Sequence, residues 1–251
     1  MDKLSVIIIT KNEADNITHC LTSLAFADEI IILDSGSSDN TIEICQRFTD
    51  KIFSTDWPGF GPQKNRALDK ASYDWVLSID ADEMVSPELA REIKTLLAAP
   101  DKNGYHIQRI SRYCGRTIRY SGWQSDKPLR LFNKHFGRFT NDIVHEKIVV
   151  AGPLGNTTNP LYHTPYKNLT QVLEKINTYS TYGAEQRLAK GKKGNLPIAI
   201  GRGLWAFVKA YIIKRGFLDG REGFMLAVSN ALTTFYCYMK LAYLLKNRSN
   251  L

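Results

Sequence analysis

Asp80 and Asp82 stand two residues apart in SIDADE, at the end of the apolar run VLSI. If the chain is still extended there, alternate side chains point the same way, so both carboxylates project to one side. Two carboxylates so placed repel each other unless a cation lies near them. A hard divalent ion such as Mg2+ or Mn2+, already chelated by the phosphates of a substrate, takes oxygen ligands and needs few of them from protein. On its own an Asp-x-Asp is a common solvated turn or helix start, with Glu83 and Ser86 available as caps. Its position says more. Two earlier apolar runs also end in acids and amides: LSVIIIT leads into Lys11, Asn12 and Glu13, and EIIIL leads into Asp34, Ser35, Gly36, Ser37, Ser38 and Asp39.

Such groups act together only if the chain gathers them, and the pattern between them supplies the means. LSVIIIT is short, β-branched and bounded by polar residues, which predicts a strand buried on both faces in a parallel sheet. Helical spacing over 16–24 predicts a helix, EIIIL a second strand, 41–48 a helix and 51–53 a short strand. The Pro/Gly-rich segment 58–62 reads as a loop before the helical QKNRALDKA. A strand at 76–80 and a helix from Pro87 to before Pro100 follow. Alternating strands and helices over the first hundred residues predict an open α/β domain. Ligands of such sheets bind beyond the carboxyl ends of the strands, so the three polar loops should converge on one crevice. From 104 to 150, YHIQRISRY and LRLFNK predict a mixed sheet extension covering that crevice, before a polar helix at 168–188 and the linker KGKKGN at 190–195.

The net charge of +8 is unevenly placed. Residues 1–186 hold 21 Lys/Arg against 23 Asp/Glu, whereas 187–251 hold 12 against 2. A basic character confined to one segment interleaved with aromatic and aliphatic residues favours anionic lipid headgroups, and no nucleic-acid partner is expected. FMLAVSNALTTFYCYMKLAYLL at 224–245 approaches the length of a bilayer span but contains Ser229, Asn230, Thr233, Thr234 and Lys240. Segment 204–217 sets Trp205, Phe207, Tyr211, Ile212 and Ile213 among Lys209, Lys214 and Arg215, as an interfacial helix does. The expectation is a segment lying on the inner leaflet; the alternative is packing on the domain or on another subunit of a homo-oligomer. Cys20, Cys45, Cys114 and Cys237 are far apart with no CxxC pairing and no secretory signal before them, so reduced thiols in a cytosolic protein are expected.

Taken together, TKNE after the first strand, LDSGSSDNT after the second, QKNRAL and SIDADE resemble the motifs of family 2 glycosyltransferases of the GT-A fold, in the same order over roughly the first 150 residues. The resemblance implies a GT-A nucleotide-sugar-binding domain of α/β class with a mostly parallel mixed sheet, and the charge division sets that domain at 1–186 and a basic amphipathic helical segment, a membrane-surface or oligomerisation appendage, at 187–251. It implies that Thr10, Asn12 and Glu13 line a nucleotide pocket and that Asp34 meets the uracil edge. Lys64 and Asn65 would reach the nucleotide or its phosphates, Asp80 the ribose or sugar, and Asp82 an Mg2+ or Mn2+ ion. His163 in LYHTP is a candidate further metal ligand. Inverting transfer also needs a base for the acceptor hydroxyl proton. Family members place an acid after the strands that follow the Asp-x-Asp, where this chain offers Asp126, Asp142 and Glu146. Glu146 in IVHEKI is favoured because Val-His-Glu is similar to a subgroup acting on lipopolysaccharide core, with Asp126 second and His145 beside it to orient phosphate or complete the acceptor site. Trp123 and Arg130 fit an acceptor wall, one stacking on sugar and the other meeting anionic groups.

KRGFLDGREGF resembles the C-terminal segment of lipopolysaccharide core β-1,4-glucosyltransferases. That implies glucose moved from a UDP-sugar to an inner-core sugar of a glycolipid, by a cytoplasmic enzyme held at the inner face of the membrane. A nucleotidyltransferase would favour a Gly-rich basic phosphate loop near the N-terminus, which TKNE is not, and a Rossmann oxidoreductase would show GxGxxG after the first strand. A non-enzymatic lipid- or nucleic-acid-binding module stays as the alternative of a different class.

Overall fold

In the computed structural model, which describes residues 2–124, 126–143 and 146–249, the chain forms two compact units. The first comprises 1–109 and 126–163, the second 110–125 and 164–251.

LSVIIIT forms β1 (Leu4–Thr10) at the middle of the first unit's sheet. Its alternation sorts side chains between two cores: Leu4, Val6 and Ile8 join one, Ile7 the other. After α1 (Ala14–Ser23), β2 (Glu29–Asp34) pairs parallel with β1, and beyond α2 (Thr41–Cys45) the short β3 (Ile52–Ser54) pairs with β2. The next helix, α3 (Phe60–Asp69), starts inside the segment expected to be loop, because Gly59 at φ 115° is its N-cap and Pro62 sits in its first turn. It leads to β4 (Trp75–Ser78), parallel to β1 on the side away from β2. The chain turns into β5 (Glu83–Val85) and then α4 (Pro87–Ala98), whose first turn carries Pro87 and whose cap is Ser86 Oγ accepting from Leu89 N at 3.1 Å.

After β6 (Gly104–His106) the chain passes through β7 (Arg109–Tyr113) and β8 (Arg116–Thr117) and returns as β9 (Leu129–Asn133), antiparallel to both β4 and β6. A hairpin of β10 (Gly137–Phe139) and β11 (Ile148–Val150) follows, then β12 (Leu154–Asn156), parallel to β6. The sheet order is β12-β6-β9-β4-β1-β2-β3, mostly parallel with β9 as the reversed strand, so the mixed extension is present at one edge. The first residues of β13 (Leu161–Tyr166) pair antiparallel with β5, setting His163 opposite Glu83.

One buried acid pins the far end of this sheet. Glu29, first residue of β2, accepts from Ser5 of β1, from Lys51 just before β3, and from Ser72 N and Oγ at 2.9 and 2.6 Å ahead of β4. Burial alone would raise its carboxyl, but these donors outweigh it and bring it down to about 2.

In the second unit β7 and β8 form a hairpin whose turn residues, Cys114 and Gly115, both have positive φ. Tyr113 and Ile118 from it pack with Val172 and Ile176 of α5 (Leu169–Ala189) and Leu226 of α7 (Gly220–Ser249). Between these helices lie α6 (Leu196–Val208), a π turn at Lys209–Ile213, and a 3-10 turn at Gly216–Asp219 after the left-handed Arg215. The domain boundary expected at 186/187 falls inside α5 and is corrected: α5 packs its Ala184 on Cys237 and Leu241 of α7, so one core holds helices from both sides of that point.

Candidate active site

Three strand ends make the crevice. Register fixes Thr10 opposite Asp34, and Ile79 N donates to Ile7 O, so β1, β2 and β4 release their loops side by side. The first two loops are laced together: Ser38 N donates to Asn12 Oδ1 at 2.7 Å, Asn12 N to Ser37 Oγ at 2.9 Å, and Glu13 N to Thr41 Oγ1 at 2.8 Å. Asn12 takes φ 55°, a left-handed conformation that asparagine tolerates. Asp34 accepts from Gly36 N and Ser37 N at 2.9 Å and from Ser37 Oγ, so its carboxylate shapes its own turn. The Thr10 hydroxyl is buried with no protein partner.

Past β4 the chain does not stay extended. Ala81 and Asp82 form a turn, so Asp80 and Asp82 do not share one side of a strand as expected. Their contacts are separate. Asp80 receives Lys64 Nζ at 2.9 Å and Arg130 Nη2 at 2.5 Å; burial would raise its carboxyl, but those two cations hold it well below the usual range. Asp82 Oδ2 lies 3.4 Å from His163 Nε2.

Arg130 corrects a second expectation. It is not an exposed acceptor wall but a buried counter-ion, its side chain 6 % exposed between Asp80 and Glu83. The register places it there: Leu131 of β9 faces Leu77 of β4, so Arg130 comes level with the end of β4 and reaches the turn beyond. Glu83 also accepts from Asp80 N at 2.9 Å and from Arg109 Nη1 at 3.0 Å, and Arg109 grips Asp126 through Nε and Nη2 at 2.7 and 2.6 Å. At the other end Lys64 Nζ reaches Glu146 Oε1 at 2.7 Å. Burial pulls the Lys64 ammonium down, yet Asp80 and Glu146 more than offset that and raise it. An alternating line results: Asp126, Arg109, Glu83, Arg130, Asp80, Lys64, Glu146. Glu83 and Arg109, central to it, were not predicted as site residues. The available signal was Arg130 itself, a charged side chain at a core-facing position of an apolar strand, which requires acid partners.

Glu146 is held near Lys64 by the β10–β11 hairpin and by α3, where Phe60 N and Gly61 N donate to Ile143 O and Asp142 O at 3.0 and 3.1 Å. Asn65 locks this hairpin: its amide donates to Phe139 O at 2.9 Å and accepts from Phe139 N at 3.0 Å. Trp123 belongs to the second unit, half-buried against the cluster of Tyr113, Ile118 and Val172, which suits a packing role. His145 lies outside the described residues.

Among the described residues no group of three or more acidic, histidine or cysteine side chains converges as a closed metal cage. Asp82 and His163 nevertheless bring one carboxylate and one imidazole together, each 14 % exposed. That donor set fits an octahedral ion whose remaining ligands are phosphate oxygens and water.

Residues 5–153 match the family model described as glycosyl transferase family 2. Over 264 residues the chain is 33 % identical to an uncharacterised glycosyltransferase of Rickettsia typhi, covering 99 % of this chain and 90 % of that one. The chain is a family 2 glycosyltransferase. This glycosyltransferase is also 32 % identical to the lipopolysaccharide core biosynthesis glycosyltransferase LpsC of Rhizobium meliloti, covering 98 % of this chain and 95 % of that one. Its fold is shared with Staphylococcus aureus TarS 1–349, solved in complex with UDP-GlcNAc, at a TM-score of 0.51, 14 % identity, and coverage of 98 % and 92 %. At that identity the likeness shows the GT-A fold of the glycosyltransferase and nothing finer.

Proposed function

We propose that this enzyme is an inverting, metal-dependent transferase that moves a hexose, glucose by the motif resemblance, from a UDP-sugar to an inner-core sugar of lipopolysaccharide. The observation that carries the reading is the line of charge ending Asp80–Lys64–Glu146 at the carboxyl ends of the parallel strands, which couples a donor-side acid to a carboxylate suited to deprotonating an acceptor. The acceptor class rests on LpsC, a lipopolysaccharide core enzyme by its name and similar over nearly its whole length. Such an acceptor is lipid-anchored, which fits a cytoplasmic enzyme working at the inner membrane face.

The donor would lie across the loops after β1, β2 and β4, with the buried Thr10 hydroxyl, unpartnered within the protein, available to it. Asp82 and His163 would hold Mg2+ or Mn2+, which when bound offsets the charge of the departing diphosphate. Glu146 takes the acceptor hydroxyl proton as that oxygen bonds to the anomeric carbon, the bond to the diphosphate breaks on the opposite face, and configuration inverts. Of the three candidate bases Glu146 is preferred to Asp126, which is gripped through two nitrogens by Arg109 where Glu146 meets the single nitrogen of Lys64. Lys64 positions Glu146 through the 2.7 Å contact to Oε1.

Calorimetric titration with UDP-glucose, UDP-galactose and a GDP-sugar, with and without Mn2+, tests the donor site. Metal-dependent binding of one UDP-sugar is expected, lost in Asp82→Ala and retained in Glu146→Gln. The latter variant should turn over at least ~100-fold more slowly, in line with the usual contribution of a general base. Failure of folded protein to bind any of the three donors would remove the assignment.

A further inference from the structure

The second unit wears its apolar side chains outward. Leu196, Ile200, Leu204, Val208 and Ile212 recur at every fourth position along α6 and the π turn, and all are exposed, Leu204 by 63 %. The opposite side is small: Ala199, Gly203 and Ala210 are buried, and a Cβ on Gly203 would come within 3.3 Å of Ala231 O and Phe235 Cβ in α7. A helix of a water-soluble core does the reverse, turning its large apolar residues inward. Over Leu196–Ile213 the mean hydropathy is 1.4, with only 17 % of the window buried.

Beside this face, the 190–195 loop, α6 and α7 border an open cavity of about 540 Å³ lined by Lys192, Lys193, Arg202, Trp205 and Tyr238 among others. Among the described residues no carboxylate pairs with its three cations. The two acids of the 187–251 segment are engaged elsewhere: Asp219 accepts from Arg119 N and Tyr120 N at 2.9 Å, and Glu222 pairs with Arg116 and Arg221.

We propose that the second unit docks on an anionic membrane leaflet, with the outward face of α6 and the π turn in the acyl boundary and a lipid headgroup phosphate in the cavity of Lys192, Lys193 and Arg202. Charge complementarity selects this occupant. A second copy meeting the same face about a two-fold axis would bring cations against cations. Crossing the bilayer is disfavoured, since the apolar window is 18 residues long and carries Arg202 and Lys209 within it. A helix lying in the interface puts such cations at the headgroups and Trp205 at the boundary.

The inference deepens the glycolipid-acceptor reading, yet its test needs neither donor nor acceptor. The full chain is sedimented with phosphatidylcholine vesicles, alone or with about 30 % phosphatidylglycerol at roughly 0.05 M salt. Binding at least tenfold tighter to the anionic vesicles is expected. Leu204→Ser with Trp205→Ser should weaken it about tenfold or more. Lys192→Ser, Lys193→Ser and Arg202→Ser together should abolish the anionic preference, at roughly fivefold per cation. All these sites are exposed, so thermal unfolding followed by circular dichroism should not shift. A chain that stays in the supernatant with every vesicle, or binds neutral and anionic vesicles alike, overturns the proposal. So does a concentration-dependent dimer that Leu204→Ser converts to monomer. A negative vesicle result with intact UDP-sugar binding would leave glycosyl transfer standing.

Discussion

A guanidinium taken out of water must recover its hydration from neighbouring acids, and Arg130 does so between Asp80 and Glu83. Removing it leaves Asp80 with Lys64 alone and Glu83 with Arg109 alone, two buried acids each short of a cation, so Arg130→Met should cost up to about 3 kcal/mol, read as a lower urea midpoint at unchanged slope. Adding Glu83→Gln to that variant should restore part of the loss, because one of the two under-compensated acids is then gone. Equal midpoints for wild type and Arg130→Met would mean the line of charge contributes nothing to the fold. Asp80, Asp82, Lys64 and Glu146 drew attention by residue type and motif, and the structure sets Lys64 between Asp80 and Glu146. Arg130 was identified but misread. Its burial depends on the β4–β9 register, and no local pattern states which residue of one strand faces which residue of another. The Asn65–Phe139 pairing was hidden for the same reason, its partners lying 74 positions apart.

Strands and helices of the first hundred residues were readable because burial on both faces writes an uninterrupted β-branched run, and Ser86–Pro87 writes a helix start. What escaped was the joint at the opposite end of the sheet. Glu29 begins β2 roughly 16 Å from Asp34, the end that faces the crevice. It ties β1, β2, the entry to β3 and the turn before β4 through one carboxylate. Its pKa falls from 4.5 unfolded to about 2 folded. The stabilisation is therefore complete above about pH 4.5 and is lost as pH drops from there toward 2. The shift corresponds to on the order of 3 kcal/mol. Glu29→Gln should be less stable than wild type by about that amount at pH 7, with the gap closing as unfolding is measured at successively lower pH down to 3. UDP-sugar affinity should not change. A gap that is constant with pH would show the carboxylate's charge to be irrelevant to the joint.

Composition located the basic segment correctly, yet the molecule is not divided where the charge changes. The second unit takes residues 110–125 from within the first unit's sequence, and α7 is what covers them: Tyr113 hydroxyl meets Ser229 Oγ at 2.9 Å, and Tyr113 and Ile118 pack against Leu226. A chain ended at 186 would keep the hairpin and most of α5 while losing α6 and α7, leaving Val172, Ile176 and Ala184 without the α7 residues that cover them. Exposed apolar surface of that kind promotes aggregation, so the 1–186 chain should come out largely insoluble, and its soluble fraction should bind ANS. The full chain carries its outward apolar residues on α6 and should bind the dye more weakly, with cooperative thermal unfolding. If the 1–186 chain proved soluble, cooperative and silent to the dye, α6 and α7 would be an appendage as composition suggests. The expected failure would instead make them part of the second unit's core on one side and its outward apolar face on the other.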